Sequence, residues 1–207
     1  MRLGILGGSF NPPHYGHLRL AEAAMASGRV EGVLLVPAAA PPHKIAPVEA
    51  DPSARLAMTR ILAAADPRLR VDGLELERPG PSYSVDTVRE LYKRGGGDSY
   101  RLIIGSDMAR IFPSWREYGE ILRLAPPLVA ERPGEDMESA CDTLKSLSQT
   151  ERDILLSGYF PMDPVSISST HIRRRLAAGA DRAELASLLP ETLLDFIQER
   201  GIYGWNG

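Results

Sequence analysis

The densest chemistry in this chain lies in one run, Gly7-Gly8-Ser9-Phe10-Asn11-Pro12-Pro13-His14-Tyr15-Gly16-His17. Two imidazoles three positions apart at a helix start can point the same way. Gly7 and Gly8 remove side chains where main-chain N–H groups would approach a phosphate. Pro12 and Pro13 hold the connection extended, because a residue before proline is pushed out of the helical region. Gly16 keeps the surface between the imidazoles open. The helix N-terminus adds unsatisfied N–H donors and positive potential at the same point. Singly, each histidine is as consistent with a structural role as with a functional one; the joint pattern suits an anionic phosphate chain. Competing readings fail on residue type. There is no G-x-G-x-x-G dinucleotide fingerprint and no Gly-Lys-Ser/Thr ending of a P-loop. A zinc site would need further thiolate or imidazole ligands nearby, and none follows.

Four more stretches carry groups able to act on a ligand. Ser168-Ser169-Thr170-His171-Ile172-Arg173-Arg174-Arg175 puts hydroxyls and arginines at a helix start. It reads either as a capped, solvated basic helix or as an anion site in which Arg173 reaches a phosphate bound at the first turn. Gly105-Ser106-Asp107 closes an apolar run, and Asp107 either caps the next helix or contacts a ligand. Trp115 follows a proline turn and is either a core aromatic or a stacking surface for a flat heteroaromatic ring. Pro41-Pro42-His43-Lys44 offers an imidazole and a cation on a loop, and Ser82-Tyr83-Ser84 offers a helix N-terminus for a carboxylate.

These groups need a frame, and the periodicity supplies an α/β one. Residues 2–6 and 33–36 are short apolar runs suited to buried parallel strands, with a helix over about 16–27 between them, stopped at Gly28. That order implies a right-handed βαβ crossover. A Pro- and Ala-rich loop over 37–52 leads to a helix over about 52–65, with Asp51 as its cap and Pro52 in its first turn. Leu69, Val71, Leu74 and Leu76 alternate loosely and predict a strand kinked at Gly73. Ser84 is expected to cap a helix running to 93 or 94, with Val85, Val88, Leu91 and Tyr92 on its apolar face. Residues 100–104 form a core strand, Pro113 interrupts a short helix, and 115–124 has helical spacing. Residues 128–130 and 154–160 read as further strands. Residues 133–150 are charged and aperiodic. A basic helix over 171–178 and a last helix opened by Pro190 complete the chain, and no internal repeat stands out.

A length of 207 residues suits one domain, here 1–207, with a small helical part from about residue 168. A net charge of −3 argues against a general polyanion binder such as a nucleic-acid protein, so phosphate affinity must be local. The single cysteine, Cys141, excludes an intramolecular disulfide and a thiolate metal cluster, and its polar surroundings suit a plain thiol better than a nucleophile. No membrane-length apolar run or signal peptide is evident, so a cytoplasmic protein is expected.

The opening run closely resembles the G-G-S/T-F-D/N-P-x-H-x-G-H signature of the nucleotidyltransferase superfamily, a relative of the HIGH motif of class I aminoacyl-tRNA synthetases. Asn11 stands where many members have Asp. The stretch from Ser168 resembles the superfamily's I-S-S-T-x-I-R-x-R motif. Within the superfamily, Pro41-Pro42-His43-Lys44, the segment from Glu77 to Thr87, Ile103-Ile104-Gly105-Ser106-Asp107 and Phe112-Pro113-Ser114-Trp115 resemble bacterial nicotinate-nucleotide adenylyltransferases. The likeness runs from Met1 to Tyr203 and is weakest around Cys141.

The resemblance implies a Rossmann-like, doubly wound α/β fold with a mostly parallel sheet and helices on both faces. It implies adenylyl transfer from ATP to nicotinate mononucleotide, giving nicotinate adenine dinucleotide and pyrophosphate in NAD biosynthesis. His14, His17 and Arg173 would act on the phosphates. Gly7, Gly8, Ser9, Phe10, Gly16, Gly105, Asp107, Ser168, Ser169 and Thr170 would complete the ATP site, with Asp107 on a ribose hydroxyl. Trp115 would stack on the pyridine ring. Main-chain amides near Ser84 (more usually Thr) and Arg116 (frequently Tyr) would receive the carboxylate, and Lys44 is a further candidate on this side. Mg²⁺ would bridge ATP phosphates without a protein cage. A monomer or weak homo-oligomer is expected. The alternatives are another adenylyltransferase, acting on pantetheine phosphate or nicotinamide mononucleotide, and a non-catalytic nucleotide-binding protein.

Overall fold

Strand β1 (Arg2–Gly8) is the centre of the frame, with Leu3, Ile5 and Leu6 buried in its middle. It runs two residues beyond the apolar stretch, so the strand itself delivers Gly7 and Gly8. Helix α1 (Tyr15–Ala26) follows, then β2 (Gly32–Pro37), every residue of which is buried, as a central parallel strand requires. The computed structural model describes residues 1–40, 50–131 and 144–207. Six strands form a sheet in the order β3-β2-β1-β4-β5-β6, where β3 is Leu69–Val71, β4 Ser99–Gly105, β5 Leu128–Ala130 and β6 Tyr159–Phe160. This is the order of the doubly wound dinucleotide folds, which place ligands where the order reverses, outside the carboxyl ends of the strands. Here that point lies between β1 and β4, whose carboxyl ends carry Gly7 and Gly105.

The chain divides into two compact units. The first comprises Met1–Gly7, Leu20–Leu34 and Tyr83–Pro164. In it β1 pairs in parallel with β4 (Leu3 opposite Tyr100, Ile5 opposite Leu102), β4 with β5 (Ile104 opposite Val129), and β5 with β6 (Ala130 opposite Phe160). Ser84–Lys93 is helical and buries Val85, Thr87, Val88 and Leu91. Tyr92, expected on that apolar face, is exposed, and its hydroxyl donates to the Leu124 carbonyl. Residues 154–160 do not form one strand. Gln149–Ser157 is a helix opened by a capping box between Ser148 and Glu151, and only Tyr159–Phe160 pairs into the sheet. The apolar run at 154–156 is the last turn of that helix, which short-range periodicity cannot tell from a strand.

The second unit comprises Gly8–Arg19, Leu35–Ser82 and Val165–Gly207. Helix α2 (Pro52–Ala63) starts as expected, with the Asp51 carboxylate accepting the Ala54 N–H at 2.9 Å. The strand expected through Leu76 ends at Val71. A one-turn helix, α3 (Leu74–Glu77), replaces its second half, because the Asp72 carboxylate accepts the Leu74 N–H at 2.9 Å and turns the chain. Toward the C-terminus stand Ser169–Ala177, Arg182–Ala186 and Glu191–Glu199, the last preceded by Pro190. Their apolar faces, including Ile172, Leu176, Leu185, Leu193 and Ile197, share one core with Met58 of α2 and with Trp205. The Trp205 indole N–H donates to the Ala180 carbonyl at 3.1 Å. Among the described residues no helix is long and apolar enough to cross a membrane.

Candidate active site

The turn from Gly8 to His14 is built from donors that arrive from elsewhere in the same unit. The Arg173 guanidinium Nη1 donates to the Asn11 carbonyl at 2.9 Å, and the Ser169 hydroxyl donates to the Pro12 carbonyl at 2.9 Å. Two motifs more than 150 residues apart in sequence therefore meet directly. Ser168 is the cap of their helix, its hydroxyl accepting the His171 N–H at 3.2 Å. Thr170, in the first turn, is exposed. Asn11 is buried, and its Oδ1 accepts the Tyr203 hydroxyl at 2.6 Å and the Ala50 N–H at 3.3 Å. Phe10 is fully buried with a left-handed backbone, φ 45°. That conformation costs a non-glycine residue about 1–3 kcal/mol and persists because the surroundings over-determine it.

The two histidines are oriented by the main chain. His14 Nδ1 accepts the Gly16 N–H at 3.1 Å, and His17 Nδ1 accepts the His14 N–H at 3.2 Å. A neutral imidazole that accepts at Nδ1 carries its proton at Nε2. Each ring therefore presents an Nε2–H donor. The His14 and His17 ring centroids lie 3.9 Å apart, and the Phe10 ring centroid lies 4.8 Å from that of His17. His14 precedes the first residue of α1, and its carbonyl accepts the His17 N–H at 2.9 Å. A Cβ on Gly16 would stand 2.8 Å from His14 Nδ1, so glycine is required for this close approach. A Cβ on Gly7 would meet nothing within 4 Å, and one on Gly8 would touch the Phe10 ring at 3.4 Å. Ser9 is buried at the head of the turn.

A second group of candidates belongs to the other unit. Gly105 stands at the cap position of Ser106–Ile111 without a side-chain capping bond. Of the two roles open to Asp107, it does not take the cap: it lies inside the first turn, where a carboxylate is favoured by the helix dipole. Ser84 is likewise not the cap of its helix. Tyr83 holds that position in extended conformation, leaving Ser84 as the first helical residue. The helix expected over 115–124 begins only at Tyr118. Trp115 is extended after the turn Phe112–Ser114, half-buried, with its ring 5.5 Å from Phe112. The reason is Glu117, whose left-handed φ of 52° breaks the run. Arg89 clamps that residue, donating from Nη1 to Glu117 Oε1 at 3.2 Å and from Nε to Glu120 Oε1 at 3.2 Å. The Arg89 hydrogen bond holds the Glu117 carboxyl below the usual carboxylate range. Arg116 lies with its guanidinium carbon 4.8 Å from the Tyr83 ring centroid, which brings it beside the start of the Ser84 helix. Lys44, with the rest of Pro41-Pro42-His43-Lys44, and Cys141 lie outside the described residues.

The sequence reading passed over three side chains that shape these groups. Tyr83 is the platform under Arg116, Tyr203 holds Asn11, and Arg55 donates to the Ser9 carbonyl at 2.9 Å. Only Arg55 left a signal, a charge on the buried stripe of α2 that also contains Met58, Thr59 and Leu62. Among the described residues no group of three His, Cys, Asp or Glu side chains is gathered to hold a metal ion.

The model of the cytidylyltransferase-like family matches residues 5–175. A Roseiflexus sp. protein named "Probable nicotinate-nucleotide adenylyltransferase" is 38% identical over 203 residues, covering 97% of this chain and 97% of its own. A Bordetella petrii protein of the same name is 38% identical over 202 residues, covering 98% of each. The solved structure of Plasmodium falciparum nicotinic acid mononucleotide adenylyltransferase complexed with NaAD superposes with a TM-score of 0.76 at 18% identity, over 99% of this chain and 98% of that one. It establishes the likeness of fold.

Proposed function

Because the chain belongs to the nicotinate-nucleotide adenylyltransferases, within the cytidylyltransferase-like family, we propose that it joins ATP and nicotinate mononucleotide. A 5′-phosphate oxygen of the mononucleotide attacks the α-phosphorus of ATP in line. The bond between the α-phosphorus and its bridging oxygen breaks, and pyrophosphate leaves with the electron pair. The product is nicotinate adenine dinucleotide. The attacking phosphate is already ionised, so no general base is needed, and catalysis rests on positioning and charge neutralisation.

The observation that carries this reading is the pair of Nδ1 acceptors. With both Nδ1 atoms occupied by main-chain N–H groups, His14 and His17 offer Nε2–H donors to phosphate oxygens. Arg173 adds a fixed positive charge beside the same turn. We assign Gly7, Gly8, Ser9, Phe10 and Gly16 to the phosphate contacts of this turn. Ser168, Ser169 and Thr170 contribute from the start of the Arg173 helix, and Gly105 and Asp107 are assigned to the nucleoside. Trp115, Ser84 and Arg116, with Lys44, are assigned to the mononucleotide. We propose Mg²⁺ as the cofactor; when bound it would supply charge neutralisation on the ATP phosphates, and no side chain of this chain is assigned to hold it. We further read the chain as one cytoplasmic nucleotidyltransferase domain working as a monomer or weak homo-oligomer.

Pyrophosphate release from ATP tests the reading, with nicotinate mononucleotide, nicotinamide mononucleotide and pantetheine phosphate offered in parallel. Turnover with the nicotinate form, and preference for it over the amide, is the expected result. No turnover with any acceptor would end the enzyme reading, and preference for the amide would remove the carboxylate assignment.

A further inference from the structure

Arg55 is a charged residue where the fold should not tolerate one. It is 1% exposed, on the face of α2 that also buries Met58 and Leu62. Its partners are two carbonyl oxygens: Nη1 donates to Ser9 at 2.9 Å and to Ala38 at 2.6 Å. Its Nε has no acceptor, and among the described residues no carboxylate pairs with it. Asp51 and Tyr203 act on it only through space, and the Asp51 carboxylate is engaged with the Ser53 hydroxyl at 2.6 Å and the Ala54 N–H at 2.9 Å. Burial pushes its pKa below the ordinary arginine value, yet a guanidinium stays protonated in proteins. A buried cation without a counter-ion is costly, and such groups persist where something else balances them.

Its geometry indicates what that is. The Ser9–Phe10 peptide is trans, so its N–H points opposite to its C=O. Drawing the Ser9 carbonyl onto Arg55 therefore turns the Phe10 N–H away from the guanidinium. That N–H makes no main-chain or side-chain hydrogen bond among the described residues. The peptides into Pro12 and Pro13 have no N–H, so Phe10 and Asn11 carry the turn's main-chain donors between Ser9 and His14, and that of Phe10 lies on the peptide whose carbonyl Arg55 holds. Phe10 itself holds a left-handed backbone, φ 45°.

We propose that Arg55 is a positioning residue for the nucleotide triphosphate: it aims the Phe10 N–H as a phosphate donor, and the bound phosphates supply to its buried guanidinium a counter-charge that no described residue gives. The inference rests on the assignment of the triphosphate to the His14–His17 turn. It makes ATP binding and the stability of the turn one coupled event, since a ligand that balances a buried charge stabilises the folded form by more than its surface contacts alone.

The test compares wild type with Arg55→Met, Arg55→Gln and Arg55→Lys. Thermal melting is followed without ligand, with MgATP and with inorganic tripolyphosphate, and KM is measured for each substrate. In the neutral variants the rise in Tm with MgATP or tripolyphosphate should fall to less than about half. KM for ATP should rise about tenfold, the loss of one charge-assisted contact, while KM for nicotinate mononucleotide stays within about threefold. Arg55→Lys, which keeps the charge, should recover most of the Tm response. A neutral variant with an unchanged Tm response and ATP KM overturns the proposal. So does an equal rise in both KM values, or an Arg55→Lys variant as unresponsive as Arg55→Met. If neither Arg55→Met nor Arg55→Gln folds, Arg55 is a structural tie and the proposal fails. A wild type that neither turns over nor responds to MgATP would instead sink the parent assignment.

Discussion

Replacing Gly16 by alanine should disable the enzyme while leaving it folded. An ideal Cβ at this position lies 2.8 Å from His14 Nδ1, 2.9 Å from His14 Cε1 and 3.2 Å from Val165 Cγ1. Non-bonded carbon and nitrogen atoms settle near 3.5 Å, so the imidazole must move by roughly 0.5–0.7 Å at its near edge. It cannot do so freely: His14 is 6% exposed and its ring lies 3.9 Å from that of His17. A tilt about the near edge carries the far edge, where Nε2 sits, through a comparable or larger distance. Misplacing a catalytic donor by about 1 Å costs about a hundredfold in rate, equivalent to about 2.7 kcal/mol of barrier. The same methyl group favours the helix by about 0.5–1 kcal/mol, since Gly16 lies in the first turn of α1 with an ordinary helical backbone. The strain and the propensity gain oppose each other in stability, but only the strain reaches the chemistry. Steady-state kinetics should therefore show kcat lowered about a hundredfold, KM for nicotinate mononucleotide changed less than about threefold, and Tm within about 3 °C of wild type. A kcat within threefold of wild type in a well-folded variant would refute the placing of His14 Nε2 against the transferring phosphate.

Trp115→Ala should act on the other substrate. It removes a half-buried ring that rests on Phe112 at 5.5 Å, so KM for nicotinate mononucleotide should rise about tenfold while KM for ATP holds; an unchanged mononucleotide KM would return Trp115 to a packing role. Acid titration should reveal Asp51. Its carboxyl is held below its ordinary value of 3.8, chiefly by the Ser53 hydroxyl and then by the Ala54 N–H. A depressed folded-state pKa contributes stability that is fully present above the unfolded value and is lost as pH falls through the folded one. Asp51→Ala should therefore melt at lower temperature than wild type at neutral pH, and the gap should close as the pH is lowered through the range below 3.8; a constant Tm gap across the whole acid titration would show that capping charge is not the cause.

What could be read from the residues, and what could not, divides along a physical line. The run from Gly7 to His17 was legible because several independent requirements (a turn, two imidazoles, a helix start) coincide in eleven residues. Apolar runs such as Gly32–Pro37 were legible because a strand buried on both faces has little other use for that composition. Where local signals compete, reading failed by about a turn at several element ends, and by a whole helix at Gln149–Ser157. Asp72 bends the chain that Leu74 and Leu76 would extend, Tyr83 takes the cap position in place of Ser84, and Glu117 adopts a left-handed backbone with its carboxylate held by Arg89. The residues that shape the site from behind were the least legible. Arg55 shows in sequence only as a charge on the apolar stripe of α2, with no sign of what it meets, and Tyr203 looks like a stray aromatic near the C-terminus. Their meaning depends on which carbonyl or amide they meet, at separations of 46 and 192 residues. A turn that must hold a strained Phe10 and two oriented imidazoles cannot be stable by its own eleven residues, because each strained or buried polar group needs an external partner. The motif therefore implies that such partners exist without saying where they are. In this chain they come from the Ser169–Ala177 helix, from α2 and from Tyr203, which is why the unit holding the phosphate turn draws on three separate stretches of sequence.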